Sequence, residues 1–219
     1  MDERPLAQRL AAVTALDDPT RRSILDFVAR SPEPVGRDAV AERFGLPRST
    51  AAFHLDRLAE QGLLDVVYRR RSGRTGPGSG RPAKLYQRAA RETTVNVPER
   101  HYDLAAQLLA AAVDRSATTG APVAEALADA AQEAGRALGS GAAGLREVLE
   151  SNGFEPRSEA DGTVVMGNCP FHRLVDEHPE TVCTMNLHLL RGVACACGAD
   201  PEALRLDPAP GRCCVTVRP

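Results

Sequence analysis

The first 168 residues of this 219-residue chain contain no cysteine, and all six cysteines fall between positions 168 and 214. Thiol chemistry is therefore confined to one stretch, and disulfide staples are excluded from the rest. Long apolar runs are also missing. The longest are a few residues, far short of the roughly 20 that a membrane span needs. The opening MDERPLAQRL has no apolar targeting core, so a cytoplasmic protein is expected. In a reducing cytosol, clustered cysteines serve more often as metal ligands or redox switches than as structural disulfides. No Gly-rich phosphate loop, no Ser/His/Asp arrangement and no second cofactor fingerprint is found, which argues against an enzyme. Close C-x2-C pairs, the strong mark of a zinc ribbon, are absent too, since Cys195 and Cys197 form C-x-C. Lysine occurs once, as Lys84, so nearly all positive charge is arginine.

The net charge of −2 conceals an asymmetry. Residues 1–97 hold 17 basic against 12 acidic side chains, whereas residues 98–219 hold 10 against 17. A positive N-terminal half suits a polyanion such as DNA. Its pattern agrees. Leu6, Leu10, Val13 and Leu16 lie at helical spacing in residues 5–16, and a second helix is expected after Asp17 or Asp18 as cap and Pro19 in the first turn. Ile24, Leu25, Phe27 and Val28 form its apolar stripe.

In RDAVAERFGLPRSTAAFHLDRLAEQGLL the spacing predicts a helix ending at Phe44, a left-handed Gly45, and a new helix opened by Pro47. That is the pattern of helix-turn-helix. At 100° per residue Ala51, Leu55, Leu58 and Gly62 share one face of the second helix, while Ser49, Thr50, Phe53, Arg57 and Glu60 face away. Arg48, Ser49, Thr50, Phe53 and Arg57 are the candidates to read a major groove, the first three beside free amides at the helix start. Residues 64–68 and 83–88 read as two strands around the Gly- and Pro-rich loop RRRSGRTGPGSGRP, which makes the unit a winged helix. Between Val66 and Arg91 there are eight basic residues and no acid, and Arg69, Arg70, Arg71, Arg74, Arg81 and Lys84 are the candidates to hold phosphates. His54 and His101 read as packing or solvated residues.

The run from Asp18 to Arg88, with DPTRRSILDFV, STAAFHLDRLAEQGLL and the close GRPAKLY, resembles bacterial winged-helix regulators of the ArsR and DeoR type. The Gly80-Arg81-Pro82 and Tyr86 of that close are similar in particular to the SufR-type iron-sulfur regulators. The resemblance implies a dimeric transcriptional regulator, and it covers about a third of the chain.

Residues 91–97 read as an extended link. Two alanine-rich helices follow at 98–115 and 122–138, fit either for a dimer interface or for an intramolecular bundle. Beyond a break at 139–144 come a short helix at 145–152 and a hairpin about Asp161-Gly162. A helix beginning at Pro179 and running to about Cys197 sets Cys183 near its first turn, where the helix dipole favours a thiolate. Along it Cys195 lies about 18 Å and Cys197 about 21 Å from Cys183. Both are expected to pack as small apolar residues. Cys213 and Cys214, on an expected last strand, should point to opposite faces, so only one is expected as a ligand. Three thiolates then share reach of one site: Cys169, Cys183 and one of the final pair.

The spacing C-x13-C-x29-C, the Asn before Cys169 and a cysteine close to the end of the sequence again resemble the SufR-type regulators. The resemblance implies that Cys169, Cys183 and Cys213 ligate an iron-sulfur cluster, 2Fe-2S or 4Fe-4S. The adjacent cysteines depart from that pattern, which keeps Cys214 open as the third ligand. His172, His178, Glu177 or a small exogenous molecule would complete the set. Zinc held by Cys3His and a thiol-disulfide switch remain alternatives.

The expectation is thus a mostly helical α+β protein in three parts. Residues 1–92 form a winged-helix DNA-binding domain, 98–140 a helical linker or dimerisation segment, and 141–219 a cysteine-ligated sensor domain. The expected function is regulation of transcription, as a homodimeric repressor on a double-stranded DNA operator. A small redox enzyme with a nucleic-acid-binding module is the competing class.

Overall fold

A computed structural model of the chain describes residues 4–69 and 82–219. The fold is mostly helical α+β and divides into two compact units, residues 2–95 and 96–219. Among the described residues no helix is long and apolar enough to cross a membrane.

The first unit opens with α1 (Leu6–Ala15) and α2 (Pro19–Arg30). The Asp18 carboxylate accepts from the Arg21 amide at 3.0 Å and so caps α2, while Pro19 gives up no needed donor at its first position. A two-residue strand, β1 (Val35–Gly36), precedes α3 (Arg37–Phe44); it is too short to show in any sequence period. Gly45 takes φ 64°, the left-handed turn that a side chain would strain, and α4 (Arg48–Glu60) starts after Pro47. The expected inner face of α4 is buried: Ala51, Leu55 and Leu58 pack with Ile24, Val28, Val40 and Tyr86 into one core. Gly62 falls just beyond the helix end. The wing strands β2 (Leu64–Arg69) and β3 (Ala83–Arg88) pair antiparallel from Leu64 opposite Arg88 to Arg69 opposite Ala83, and β1 pairs on the other edge of β3. The apolar stripe of α1 is not its buried side. Ala12 and Ala15 are buried and Leu6, Leu10 and Val13 are exposed.

The second unit begins with α5 (Tyr102–Thr119) and α6 (Val123–Gly139), followed by α7 (Leu145–Ser151). Strands β4 (Pro156–Ser158) and β5 (Val164–Met166) form the expected hairpin, with the Asp161 carboxylate accepting from the Thr163 amide at 2.9 Å. Helix α8 (His172–Glu177) leads into α9 (Pro179–Ala196), then β6 (Leu204–Leu206) and β7 (Val215–Val217) close a four-stranded antiparallel sheet of order β4-β5-β7-β6. Leu108, Leu127 and Ala131 of α5 and α6 share one core with Met166, Leu189, Leu190 and Val215. Segment 98–140 is therefore packed into the unit that carries the cysteines.

Helices α6 and α9 cross at backbone contact. A Cβ on Gly135 would sit 1.9 Å from the Leu189 carbonyl oxygen, and one on Gly192 would sit 2.2 Å from that of Gln132. Only glycine fits at either position. The close crossing fixes α9, and α9 carries Cys183 and Asn186.

Candidate DNA-binding surface and thiol cavity

On α4 the outward set stands where the period puts it. Arg48, Ser49 and Arg57 are exposed, Thr50 is half-buried, and Phe53 presents an aromatic ring with 61% of its surface free. No side chain caps the start of α4, so the amides of Arg48, Ser49 and Thr50 are at the solvent end of the helix dipole, suited to a phosphate. His54, by contrast, is buried, as the packing reading required.

The charges nearby are less free than the sequence suggested. Arg48 meets the Asp38 carboxylate through Nε and Nη2, both at 2.6 Å; Arg57 lies 3.4 Å from Glu60; Arg69 lies 2.7 Å from Glu33; and Lys84 lies 2.5 Å from Asp56. Each described basic candidate thus has a carboxylate partner in the absence of DNA. Exposed pairs of this kind are worth at most about 1 kcal/mol, so a phosphate can replace the carboxylate at small cost. Arg70, Arg71, Arg74 and Arg81 lie outside the described residues.

Asp56 does more than neutralise Lys84. It also accepts from the Tyr86 hydroxyl at 2.6 Å, which ties helix α4 to wing strand β3. Partial burial works to raise the Asp56 carboxyl, but the two donors outweigh it and hold it below its ordinary value. Burial, then the bond to Asp56, pushes the Tyr86 phenol up to about 12. Sequence reasoning listed Lys84 and Tyr86 and missed Asp56, because one acid among basic neighbours does not reveal a partner 28 residues away.

In the second unit, Cys169, Cys183, Cys213 and Cys214 all line one cavity of about 530 Å³. All four are buried, Cys213 completely. The thiols act on one another's ionisation in the order Cys169, Cys213, Cys214, Cys183. Side-chain and backbone hydrogen bonds hold the segments that carry Cys169, Cys213 and Cys214. Asn168 donates to the carbonyls of Gly153 at 2.6 Å and Glu99 at 3.2 Å and accepts from Arg100, which pins the turn before Cys169. The Cys213 amide donates to Met166 at 2.9 Å, and the Asp207 amide donates to the Cys214 carbonyl at 2.7 Å.

Two expectations about the final pair and its neighbours are corrected here. Strand β7 begins only at Val215, so Cys213 and Cys214 precede it on irregular backbone that does not alternate faces. Both therefore face the cavity. Cys195 is exposed and Cys197 half-buried, not packed as small apolar residues, at the C-terminal end of α9. As the continuous helix required, neither lines the thiol cavity.

The Cys183 thiol is also not the low-pKa thiolate that a helix start suggests. Burial pushes it up, against a lowering contact from Cys214. Cys169 is held far above the ordinary thiol value by its hydrogen bond to Cys213 and by burial. For Cys213 the contact from Cys169 lowers the value, but the bond to Cys214 together with burial wins and raises it to about 12. Burial thus favours the protonated thiol at Cys169, Cys183 and Cys213. Among the described residues, no group of three or more His, Cys, Asp or Glu side chains is arranged to hold a metal ion. Ligation requires the protons to leave and the side chains to rearrange around the bound group.

Sequence reasoning missed two polar groups here. Asn186, fully buried on α9, donates from Nδ2 to the Cys213 sulfur at 3.3 Å, and its Oδ1 has no acceptor or donor partner among the described residues. Arg212 lines the cavity; its Nη2 donates to Asp207 at 2.9 Å, while its buried Nη1 finds no acceptor among the described residues. An Asn inside an apolar helix stripe was the available signal for the first. His172 is exposed at the cavity edge, and Glu177 and His178 do not line it.

Compared with known families, residues 16–67 match a helix-turn-helix domain. No curated protein and no solved structure matches the chain. The matched segment holds α2, α3, α4 and the start of β2, and it points to a DNA-binding regulator of transcription with a helix-turn-helix.

Proposed function

We propose that the chain is a SufR-like transcriptional repressor of the wider ArsR and DeoR kind, which binds a double-stranded operator as a homodimer in the cytoplasm and answers to an iron-sulfur cluster in the second unit. The observation that carries the cluster is the convergence of Cys169, Cys183, Cys213 and Cys214 on one largely apolar cavity. Soft sulfur donors in a largely apolar pocket suit iron and sulfide. Arg212, half-buried and paired with Asp207 at 2.9 Å, brings a guanidinium with a buried Nη1, unpartnered among the described residues, to a site that becomes anionic when its thiols ionise. A bound cluster would supply redox- and oxygen-sensitive chemistry; the chain's part is to hold it, exclude water and donate from Asn186 to a ligand sulfur.

The two other readings of the thiols fare worse. For zinc held by three cysteines and a histidine the fourth donor would be His172, which lines the cavity but is exposed to water. A thiol-disulfide switch needs an accessible thiolate, and burial works against that at Cys169, Cys183 and Cys213.

On the DNA side, Arg48, Ser49, Thr50, Phe53 and Arg57 of α4 read the major groove, and Arg69 and Lys84, with the arginines of the wing loop, hold phosphates. Phe53, exposed on the reading face, suits apolar contact with a thymine methyl. Anaerobic purification followed by an absorption spectrum and iron and sulfide analysis tests the proposal. A brown protein with matched iron and sulfide supports it, and a colourless protein carrying zinc or no metal overturns it.

A further inference from the structure

Three of the cavity's thiols suffice for the ligand set considered so far, yet a fourth buried sulfur faces the same space. Cys214 lines the cavity together with Cys169, Cys183 and Cys213, and it is 7% exposed. It follows Cys213 directly in the chain and lines the same cavity as Cys183 on α9. The segment that carries it is irregular, since β7 starts only at Val215, and nothing in its backbone turns Cys214 away from Cys213. The competing donors are poorer. His172 and Glu180 reach only the cavity edge and are exposed, where water competes for them.

We infer that Cys214 is a ligand in addition to Cys213, so that the chain offers a complete four-thiolate set to a [4Fe-4S] cluster, one cysteine per iron. The inference rests on the iron-sulfur reading and deepens it. Ligation converts four thiols to thiolates and releases four protons, with no change in oxidation state of the protein sulfur. Two chain neighbours can serve one cluster because each binds a different iron. Four thiolates leave the loaded site more negative than three would, and the Arg212 guanidinium, with Nη1 buried and without an acceptor among the described residues, stands beside it. Asn186 donates to Cys213 and not to Cys214, which makes the two adjacent sulfurs inequivalent.

The consequence is chemical. A cubane with one iron lacking a thiolate gives up that iron on mild oxidation: [4Fe-4S]2+ goes to [3Fe-4S]+ and Fe2+, with one electron passed to the oxidant. A cluster with four thiolates resists this. The test uses the full chain, reconstituted anaerobically with ferrous iron and sulfide, as wild type, Cys214→Ser, Cys214→Ala, Cys213→Ala and Cys195→Ala. Each is exposed briefly to ferricyanide and examined by electron paramagnetic resonance, with iron counted before and after. The wild type and Cys195→Ala should keep four irons. Cys214→Ser, Cys214→Ala and Cys213→Ala should bind a cluster and form the three-iron signal severalfold faster. The serine variant keeps the volume, and its melting temperature without cluster separates misfolding from lost ligation. If the wild type forms the three-iron species as readily as Cys214→Ser, or if Cys213→Ala behaves as wild type, the four-thiolate set is overturned while the cluster stands. Absence of iron and sulfide from the wild type overturns the underlying reading instead.

Discussion

Asp56 accepts from both Lys84 and Tyr86, and this one carboxylate joins α4 to the wing. Hydrogen bonds to a charged group contribute about 1.5–3 kcal/mol. Tyr86→Phe should therefore destabilise the first unit by about 1–2 kcal/mol, measured by urea unfolding. The folded Asp56 carboxyl lies below its ordinary value of 3.8, so its contribution is complete above that value and is lost as the pH falls through the folded value. The stability gap between wild type and Tyr86→Phe should shrink below about pH 4, and a gap unchanged by acid would contradict the lock. At the thiols, burial decides. Cys195 is exposed whereas Cys169 and Cys213 are buried with their thiols held protonated. In cluster-free protein at neutral pH, iodoacetamide should label Cys195 first and leave Cys169 and Cys213 last, as read by mass spectrometry. Early labelling of Cys213 would mean the cavity is open.

At the scale of elements, α9 links packing to the thiol site. It crosses α6 at Gly135 and Gly192 with no room for a Cβ, and it presents Cys183 to the cavity and Asn186 to the Cys213 sulfur. Gly192→Ala should cost about 1–3 kcal/mol or more in thermal unfolding of the second unit, since the clash is with backbone that cannot turn aside. Iron retention should fall with it. A stable variant with normal iron would show that α9 is not held by this crossing. The helix-turn-helix was legible for a local reason: Asp18, Pro19, Gly45 and Pro47 punctuate the chain, and the buried face of α4 repeats at helical spacing. The start of β7 was not legible. Two residues of irregular backbone decide that Cys213 and Cys214 share a cavity, and side-chain period carries no information about where a strand begins. The same limit hid Asp56, Asn186 and Arg212, whose roles depend on partners distant in the chain. The exposure of Leu6, Leu10 and Val13 shows the complementary failure, for a helical stripe gives spacing but not which side is buried.

For the whole molecule, the charge asymmetry of the sequence and the two compact units match in their boundary, near residue 96. The first unit carries the helix-turn-helix and the second carries the thiols. Because Arg48, Arg57, Arg69 and Lys84 each sit on a carboxylate, the proposed DNA binding would exchange protein ion pairs for contacts to DNA. Replacing Arg69 and Lys84 with alanine should weaken binding to all sequences alike and reduce the salt slope by about 1 per lost phosphate contact. Unchanged slopes would remove both from the interface. In the proposed regulator the thiol cavity governs the first unit through an iron-sulfur cluster. The operator affinity of the full chain, measured anaerobically with the cluster loaded and after its removal, on the same DNA and at fixed salt, tests this coupling. The two affinities should differ by about tenfold or more, the scale of ordinary coupling between sites. Equal affinities, with the cluster shown present in one sample and absent from the other, would contradict it.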